Sequence, residues 1–236
     1  MEILIIALPL LASIISGFFG KFIGDRNSEI VTSFLVTISA VLSIVIFYEV
    51  IFNQYEDNIT IATWIDSGSL NVNWSIKIDS LSAVMLVVVT SVSSLVHIYS
   101  IGYMSHDPHK PRFMAYLSLF TFAMLMLVTS DNFIQLFFGW EGVGLCSYFL
   151  IGFWFKKDTA NSAAIKAFLV NRIGDFGFAL GIFLIFYLFG TVNYSEVFEL
   201  IPSIIDKKLL FLGIEVKAID LICLLLFVGA MGKSAQ

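Results

Sequence analysis

Charged residues are scarce in this 236-residue chain, at 13% of the sequence against 58% for hydrophobic residues. An ordinary globular domain is about half apolar and about a quarter charged. A soluble domain of this size cannot cover itself with polar surface when so much of it is Phe, Ile and Leu. A lipid bilayer accommodates such a composition, so the sequence predicts an integral membrane protein.

Basic stripes and cysteine clusters are missing as well. Without a stripe of Lys and Arg, nothing indicates a nucleic-acid partner. The two cysteines, Cys146 and Cys223, lie in apolar segments without metal-type spacing, which excludes a disulfide framework. The apolar stretch Ile3–Ile15 could be the core of a signal peptide, but Glu2 precedes it without any basic residue. We therefore interpret it as the first membrane helix.

Long apolar segments follow one another along the chain. A helix needs about 20 apolar residues to cross about 30 Å of hydrocarbon, and six segments meet this requirement while a seventh begins near Ala218. They are continuous and lack the period of two that marks barrel strands. The expected fold class is all-α, a polytopic transmembrane helical bundle of six full spans plus a truncated seventh. The six are Ile3–Ile23, Ile30–Phe52, Leu81–Tyr103, Phe113–Ser130, Phe133–Phe155 and Ala163–Phe189.

Polar residues are concentrated in the connections. Residues 53–79 are expected to form a longer polar loop, residues 191–217 to lie along the membrane interface, and Asp79 to cap the third span. The Lys and Arg residues favour an amino terminus outside, although the last loop counts against it. In that orientation the inside loops hold Lys21, Arg26, Lys110, Arg112, Lys156 and Lys157, and the outside loops hold Lys77, Lys207, Lys208 and Lys217.

Some charged residues lie inside the apolar segments, where each costs about 2.5–3.5 kcal/mol near a helix centre. Glu141 is the clearest, because it lies about 14 Å from the start of its span, between glycines that allow close helix packing. Desolvation there disfavours the carboxylate, so this group could gain and lose a proton near neutral pH. The alternative is a static ion pair that only joins helices.

The other candidates lie in the last two segments. A desolvated Lys233 can release a proton, although a lysine that reaches the interface is the alternative. Arg172 and Asp175 are three residues apart, so they share a helix face and are expected to pair, either for structure or for function. Lys166, in the same span, could reach the interface or relay protons. His97 fits a hydrogen-bonded packing residue better than a relay.

The residues around these charges resemble a known family. The run FFGWEGVGLCSYFLIGFW, from Phe137 to Trp154, closely resembles the fifth-span signature of subunit 5 (chain L) of NADH:quinone oxidoreductase, respiratory complex I. The run GAMGKSAQ, residues Gly229–Gln236, is similar to the seventh-span signature of that family, and Ser100–Met104 and Asn171–Asp175 also fit. The family is related to cation/proton antiporter subunits, and the similarity extends along nearly the whole chain.

The resemblance implies a proton-translocating membrane subunit that couples electron transfer to proton pumping. It implies that the proton path uses Glu141 and Lys233, with Lys166, Arg172 and Asp175 as supporting charges. It further implies no cofactor in this chain, since NADH, FMN, iron–sulfur clusters and quinone bind partner subunits. A cation/proton antiporter subunit and a non-conducting assembly fragment are the alternatives.

Members of this family continue beyond a seventh span into a second, inverted repeat, so the chain is expected to be the amino-terminal part of a longer protein. Residues 1–112 would supply amino-terminal transmembrane helices and loops, and residues 113–236 the start of the proton-translocating repeat. The expected partners are other membrane subunits of complex I, including antiporter-like ones, the lipid bilayer and protons. The expected location is the bacterial or the mitochondrial inner membrane.

Overall fold

The computed structural model describes residues 1–211 and 213–234, and most of them form long helices. Within these residues, six helices are long and apolar enough to cross a membrane. This confirms the all-α membrane bundle and the six predicted spans, while the last two residues of the seventh-span signature, 235 and 236, lie outside the described residues. The helices are α1 (Glu2–Ile23), α2 (Asp25–Asn53), α3 (Ser80–Tyr103), α4 (Lys110–Val128), α5 (Phe133–Ile151), α6 (Asp158–Phe189), the short α7 (Tyr194–Ile204) and α8 (Ala218–Lys233), which begins the seventh segment.

Local chemistry decides where the helices begin and end. The Asp79 carboxylate accepts the Ser82 backbone N–H at 2.8 Å, and the Ser82 hydroxyl accepts the Asp79 N–H at 2.7 Å, which confirms the predicted cap of α3. Helix α5 ends at Ile151, short of the predicted Phe155, because the chain turns at Gly152. Helix α6 begins at Asp158 rather than Ala163, since a polar first turn precedes its apolar part.

Two polar connections form antiparallel hairpins. Strand β1 (Asp57–Ser67) pairs with β2 (Leu70–Ile78), from Asp57 opposite Ile78 to Ser67 opposite Leu70, with two irregularities in the register. Strand β3 (Lys208–Phe211) pairs with β4 (Ile214–Lys217). The expectation of a polar loop over residues 53–79 is therefore wrong. The available signal in the sequence was the alternation of apolar residues at the end of β2, Trp74, Ile76 and Ile78, which is the period of a strand.

Successive membrane helices run in opposite directions, so their connections fall on two faces of the bundle. We call the face with the α1–α2, α3–α4 and α5–α6 connections the basic face, and the face with both hairpins and α7 the hairpin face. Apolar residues of α1 to α4 and β2 form the main core, which includes Ile5, Ile46, Ile76, Leu86 and Leu125. Both cysteines are free thiols, Cys146 buried and Cys223 exposed.

The hairpin face holds the start of α5 in place. Gln135 is fully buried, donates to the Ser75 carbonyl at 2.6 Å and accepts the Ser75 N–H at 2.9 Å. In α7, the Tyr194 hydroxyl lies 3.0 Å from the Ser130 hydroxyl, and burial raises the pKa of Tyr194 to about 12. These contacts anchor α5, which carries the functional residues described next.

Candidate functional site: charges between α5, α6 and α8

Helices α6 and α8 pack closely because glycines line their contact. A Cβ added at Gly232 would lie 2.9 Å from the Cα of Gly174, and one added at Gly177 would lie 2.7 Å from Val228. A Cβ at Gly229 would lie 2.7 Å from Phe178. Small residues let membrane helices approach to backbone contact. This close approach brings the end of α8 beside the middle of α5.

Glu141 of α5 pairs with Arg172 of α6. The Arg172 Nη1 atom donates to Glu141 Oε1 at 2.6 Å, and the side chains are 52% and 25% exposed respectively. Arg172 also lies over the Phe168 ring, 4.8 Å from its centre. The Glu141 carboxylate therefore has its cation on the neighbouring helix. At 1.5 Å per residue, Glu141 lies about 12 Å along α5 from Phe133.

Asp175 has a different partner from the one that the sequence suggested. It is 4% exposed and accepts the indole N–H of Trp140 at 2.7 Å. The expected pairing of Arg172 with Asp175 is therefore wrong in this structure. A buried indole N–H needs an acceptor, and the neighbouring Glu141 carboxylate needs a cation. Two pairs across the contact of α5 with α6, Trp140 with Asp175 and Glu141 with Arg172, therefore satisfy all four groups.

Lys233 of α8 reaches the same place. Its Nζ donates to the Trp140 carbonyl oxygen at 2.7 Å and lies 5.5 Å from the centre of the Trp140 ring. A Cβ at Gly144 would lie only 2.7 Å from this Nζ, so Gly144 leaves the space that the amine occupies. The resemblance implied that Lys233 and Glu141 belong to one proton path, and the structure brings them together around Trp140 without a direct ion pair among the described residues.

Lys166 does not join this cluster of charges but shares a cavity with Lys233. The cavity has a volume of about 520 Å³ and is open on one side. Polar groups from α5 and α6, Ser147 and Asn171, also line it. Lys166 itself is exposed in the isolated chain. Lys166 of α6 and Lys233 of α8 thus line the same open cavity.

His97 lies apart from these charges, fully buried between α3 and α4. Its Nδ1 is 2.8 Å from the Ser93 carbonyl oxygen and its Nε2 is 3.0 Å from the Ser118 hydroxyl. These contacts agree with the interpretation of His97 as a hydrogen-bonded packing residue.

The sequence analysis did not single out two residues, Trp140 in the site and the buried carboxylate of Glu29. Trp140 contacts Asp175 through its indole and Lys233 through its carbonyl, and it precedes Glu141 in the chain. Its presence beside a midplane carboxylate was the available signal, because a buried indole N–H requires an acceptor. Glu29 is also buried, with its Oε1 3.8 Å from the Lys110 amine. Because Glu29 directly precedes an apolar segment, it was interpreted as an ordinary charge of a loop.

The charged side chains of the site all lie beside Trp140. Asp175 and Lys233 both bind Trp140, and Arg172 binds Glu141, the next residue in the chain. Within residues 1–211 and 213–234, no three His, Cys, Asp or Glu side chains come together in a way that could hold a metal ion. The site consists of two carboxylates, one guanidinium and one amine arranged around Trp140.

Comparison with known proteins identifies the family of this chain. Residues 64–114 match the family described as NADH-ubiquinone oxidoreductase (complex I), chain 5 N-terminus, and residues 130–236 match NADH:quinone oxidoreductase/Mrp antiporter, TM. The NADH-ubiquinone oxidoreductase chain 5 of Arabidopsis thaliana is 56% identical over all 236 residues. The chain belongs to the chain 5 (subunit L) family of NADH:quinone oxidoreductase. It covers 35% of the Arabidopsis protein.

Bacterial relatives of the chain 5 family are similarly close. NADH-quinone oxidoreductase subunit L of Rickettsia bellii is 50% identical over 234 residues, which are 99% of this chain and 36% of that protein. The chain thus spans about a third of the length of the curated relatives it matches. With six apolar helices in the part of the chain that the structure describes, it is a multi-pass protein of the inner membrane, in line with its mitochondrial and bacterial relatives.

Solved structures confirm the antiporter-like fold. The Mrp complex from Dietzia sp. DQ12-45-1b superposes with a TM-score of 0.79 at 22% identity, covering all of this chain and 24% of the other. The membrane-bound sulfane sulfur reductase, an archaeal respiratory membrane complex, gives a TM-score of 0.79 at 18% identity, covering 98% of this chain and 44% of the other. At these identities the likeness concerns the fold alone.

Proposed function

We propose that this chain supplies part of the proton-translocating path of a NADH:quinone oxidoreductase, which couples electron transfer in partner subunits to proton pumping. The observation that carries the proposal is the set of charges around Trp140. Four charged residues lie together inside a membrane bundle: Glu141, its partner Arg172, Asp175 and Lys233. Lys233 also borders an open cavity. Charged groups inside a membrane bundle typically mark ion pathways, and membership in the chain 5 family supports the same conclusion.

In this proposal Lys233 holds and releases the proton. Its ammonium form is stabilised by the Trp140 carbonyl, and the carboxylates Asp175 and Glu141 beside Trp140 favour the same form. While Arg172 pairs with Glu141, the arginine offsets one of those negative charges, and Lys233 releases its proton more readily into the cavity. When Arg172 moves away, Glu141 is freed to stabilise the ammonium, and Lys233 takes up a proton again.

The energies involved are of the size that proton pumping requires. A hydrogen bond or close contact to a charged group contributes about 1.5–3 kcal/mol. Moving one charge through 100 mV requires about 2.3 kcal/mol. Breaking and forming the Arg172–Glu141 pair could therefore drive one proton step against a potential of that order.

Lys166 would be the next group on this path, since it lines the same cavity as Lys233. The proposal assigns the redox chemistry to partner subunits, with no cofactor in this chain. NADH, FMN, iron–sulfur clusters and quinone would bind those partners. The immediate neighbours would be other membrane subunits of complex I, including antiporter-like ones.

The test is Glu141→Gln and Lys233→Gln in the full-length protein of the assembled complex. We expect proton pumping to fall strongly in membrane vesicles oxidising NADH, while native gels show normal assembly. Glu196→Gln is the matched control, since it neutralises an exposed carboxylate of α7 on the hairpin face. Full pumping by a well-assembled Glu141→Gln complex would rule out the assignment.

A second candidate is cation/proton exchange without redox chemistry. It is favoured by the fold of the Mrp complex and by the family match to Mrp antiporters. Sodium-dependent proton exchange in vesicles that lack an electron donor would support it. A non-conducting role in assembly is the third candidate, which unchanged pumping by the Glu141→Gln, Lys233→Gln double variant would support.

A further inference from the structure

Charge is distributed unevenly between the two faces of the bundle. The basic face carries six Lys and Arg residues and four Asp and Glu residues, a net charge of +2, whereas the hairpin face carries four and twelve, a net charge of −8. The whole chain has a formal net charge of −5. The basic face therefore keeps an excess of cations in an otherwise acidic protein. Its basic residues are Lys21, Arg26, Lys110, Arg112, Lys156 and Lys157, and its acidic residues are Asp25, Glu29, Asp107 and Asp158.

Several of these cations converge on one pocket. A pocket of about 230 Å³ lies between the start of α4 and the α5–α6 connection, and we call it the headgroup pocket. Arg112, Lys156 and Lys157 line it together with His109 and Asp107. Asp107 is the one carboxylate among the lining residues, so the pocket has an excess of positive charge.

Aromatic groups hold Arg112 in position. Its guanidinium carbon lies 4.5 Å from the centre of the Phe153 ring and 5.2 Å from that of Phe155, and its Nη2 donates to the Phe153 carbonyl at 3.1 Å. Its buried Nε has no hydrogen-bond partner among the described residues. A guanidinium group has five N–H donors, so most of them remain available for a ligand.

The helix ends at the pocket also favour an anion. Helix α4 begins without a side-chain cap and without an acidic residue in its first turn, which holds Lys110 and Arg112 instead. Helix α6 begins directly after Lys156 and Lys157, and Lys157 at its N-cap makes no side-chain cap. The positive end of a helix dipole attracts anions and disfavours cations. The start of α4 therefore lacks an acidic residue that would stabilise it, whereas Asp158 supplies one in the first turn of α6.

Asp107 carries one negative charge in the pocket, and both of its oxygens already accept hydrogen bonds. They accept the Trp154 indole N–H at 2.9 Å and the His109 backbone N–H at 2.8 Å. Partial burial works to raise the pKa of Asp107, but these hydrogen bonds outweigh it and hold the pKa below its ordinary value. Asp107 therefore offsets one of the three cations Arg112, Lys156 and Lys157, and a net positive charge remains for an external anion.

The surroundings of the pocket fit a lipid. Trp154 and Phe155 are exposed beside it, and aromatic side chains of this kind lie at the level of lipid headgroups. A second cavity of about 540 Å³ shares Pro108, His109 and Arg112 with the pocket and extends between α1 and α4, along Gly17 and Ala115. This extension offers apolar space next to the cations, which a free ion would not need.

We propose that the headgroup pocket binds the phosphate group of an anionic phospholipid in the leaflet at the basic face. Arg112 would contact the phosphate oxygens through its free N–H donors, with Lys156 and Lys157 as further cations. Inorganic phosphate has the same binding chemistry, so the experiment must separate the two sources.

The test uses hydrogen–deuterium exchange of the full-length protein in its complex, in nanodiscs of phosphatidylglycerol or phosphatidylcholine. We expect phosphatidylglycerol to slow exchange in residues 104–112 and 152–158. In Arg112→Gln, about tenfold more phosphatidylglycerol should be needed for half of this protection, as expected from the loss of one charge-assisted contact. Lys157→Gln, which leaves the Phe153 contacts of Arg112 intact, should weaken the protection in the same direction.

Arg26→Gln is the matched control, because it removes a cation from the same face outside the pocket. It should keep the protection unchanged. Protection by inorganic phosphate in phosphatidylcholine discs would support a phosphate site and identify the free ion as its ligand. Absence of protection by both probes, or equal protection in wild type and both pocket variants, would overturn the proposal.

Discussion

Gly144→Ala adds one methyl group beside Lys233 and so tests the geometry of the site. The new Cβ would lie 2.7 Å from Lys233 Nζ, whereas ordinary contact begins at 3.4 Å, so the amine must move by about 0.7 Å. That movement weakens the 2.7 Å hydrogen bond from Nζ to the Trp140 carbonyl. Such a charged hydrogen bond contributes about 1.5–3 kcal/mol, which corresponds to about tenfold or more in an equilibrium constant.

The same substitution should leave the fold intact. The other near atom, Asn171 Nδ2, lies at 3.8 Å from the added Cβ, which is ordinary contact. Alanine also favours a helix by about 0.8–1 kcal/mol over glycine. We therefore expect normal assembly together with proton pumping reduced by about tenfold. The reason is that the weakened hydrogen bond of the shifted amine changes the protonation equilibrium constant of Lys233 by about tenfold.

The assay is fluorescence quenching in vesicles that oxidise NADH, normalised to the amount of assembled complex. Gly102→Ala is the control for helix propensity, because a Cβ there meets nothing within 4 Å. Gly139→Ala is the control for damaged packing, because its Cβ would lie 2.7 Å from the Leu127 backbone and should impair assembly. Wild-type pumping by an assembled Gly144→Ala complex would refute the role given to the position of Lys233.

Three further predictions concern stability. The folded pKa of Asp107 lies below its ordinary value of 3.8, so its stabilisation is present above that pH and is lost as pH falls through the lower folded pKa. Asp107→Asn should therefore flatten the decline of the thermal unfolding midpoint between about pH 5 and pH 3, and slopes equal to wild type would contradict this. Gln135→Leu leaves both backbone groups of Ser75 unpaired, so the free energy of unfolding should fall by about 2–4 kcal/mol. Chemical denaturation in detergent measures this value, and an unchanged value would contradict the stabilising role of the contact between Gln135 and Ser75. Gly177→Leu should separate α6 from α8, because even a Cβ would lie 2.7 Å from Val228. Native gels should show lost assembly of this variant and normal assembly of the control Gly102→Leu. Normal assembly of both variants would contradict the role of the glycine contact.

The positions of the membrane helices were predictable because they depend on local properties of the chain. Continuous apolar segments of sufficient length must become helices in a bilayer, since each backbone polar group needs a partner within the segment. The cap at Asp79 was predictable for the same reason, as it involves residues only three apart. The membrane depth of Glu141 also follows from counting residues along one helix.

The hairpin of β1 and β2 was less accessible to prediction. Its exposed strand β1 alternates weakly, and only the end of β2 buries alternate residues. Those residues, Ile76 and Ile78, are buried against the helical core. A strand pattern that depends on packing against another element carries a weak signal in the sequence.

The charges themselves were evident from the sequence, because Glu141, Lys166, Arg172, Asp175 and Lys233 stand out in apolar segments. Their partners were decided by the tertiary structure alone. Spacing places Arg172 and Asp175 on one helix face, but it does not show which residues of another helix lie opposite that face. The glycine contact between α6 and α8, and the approach of Trp140 from α5, assign Arg172 to Glu141, Asp175 to the indole, and Lys233 to the Trp140 carbonyl.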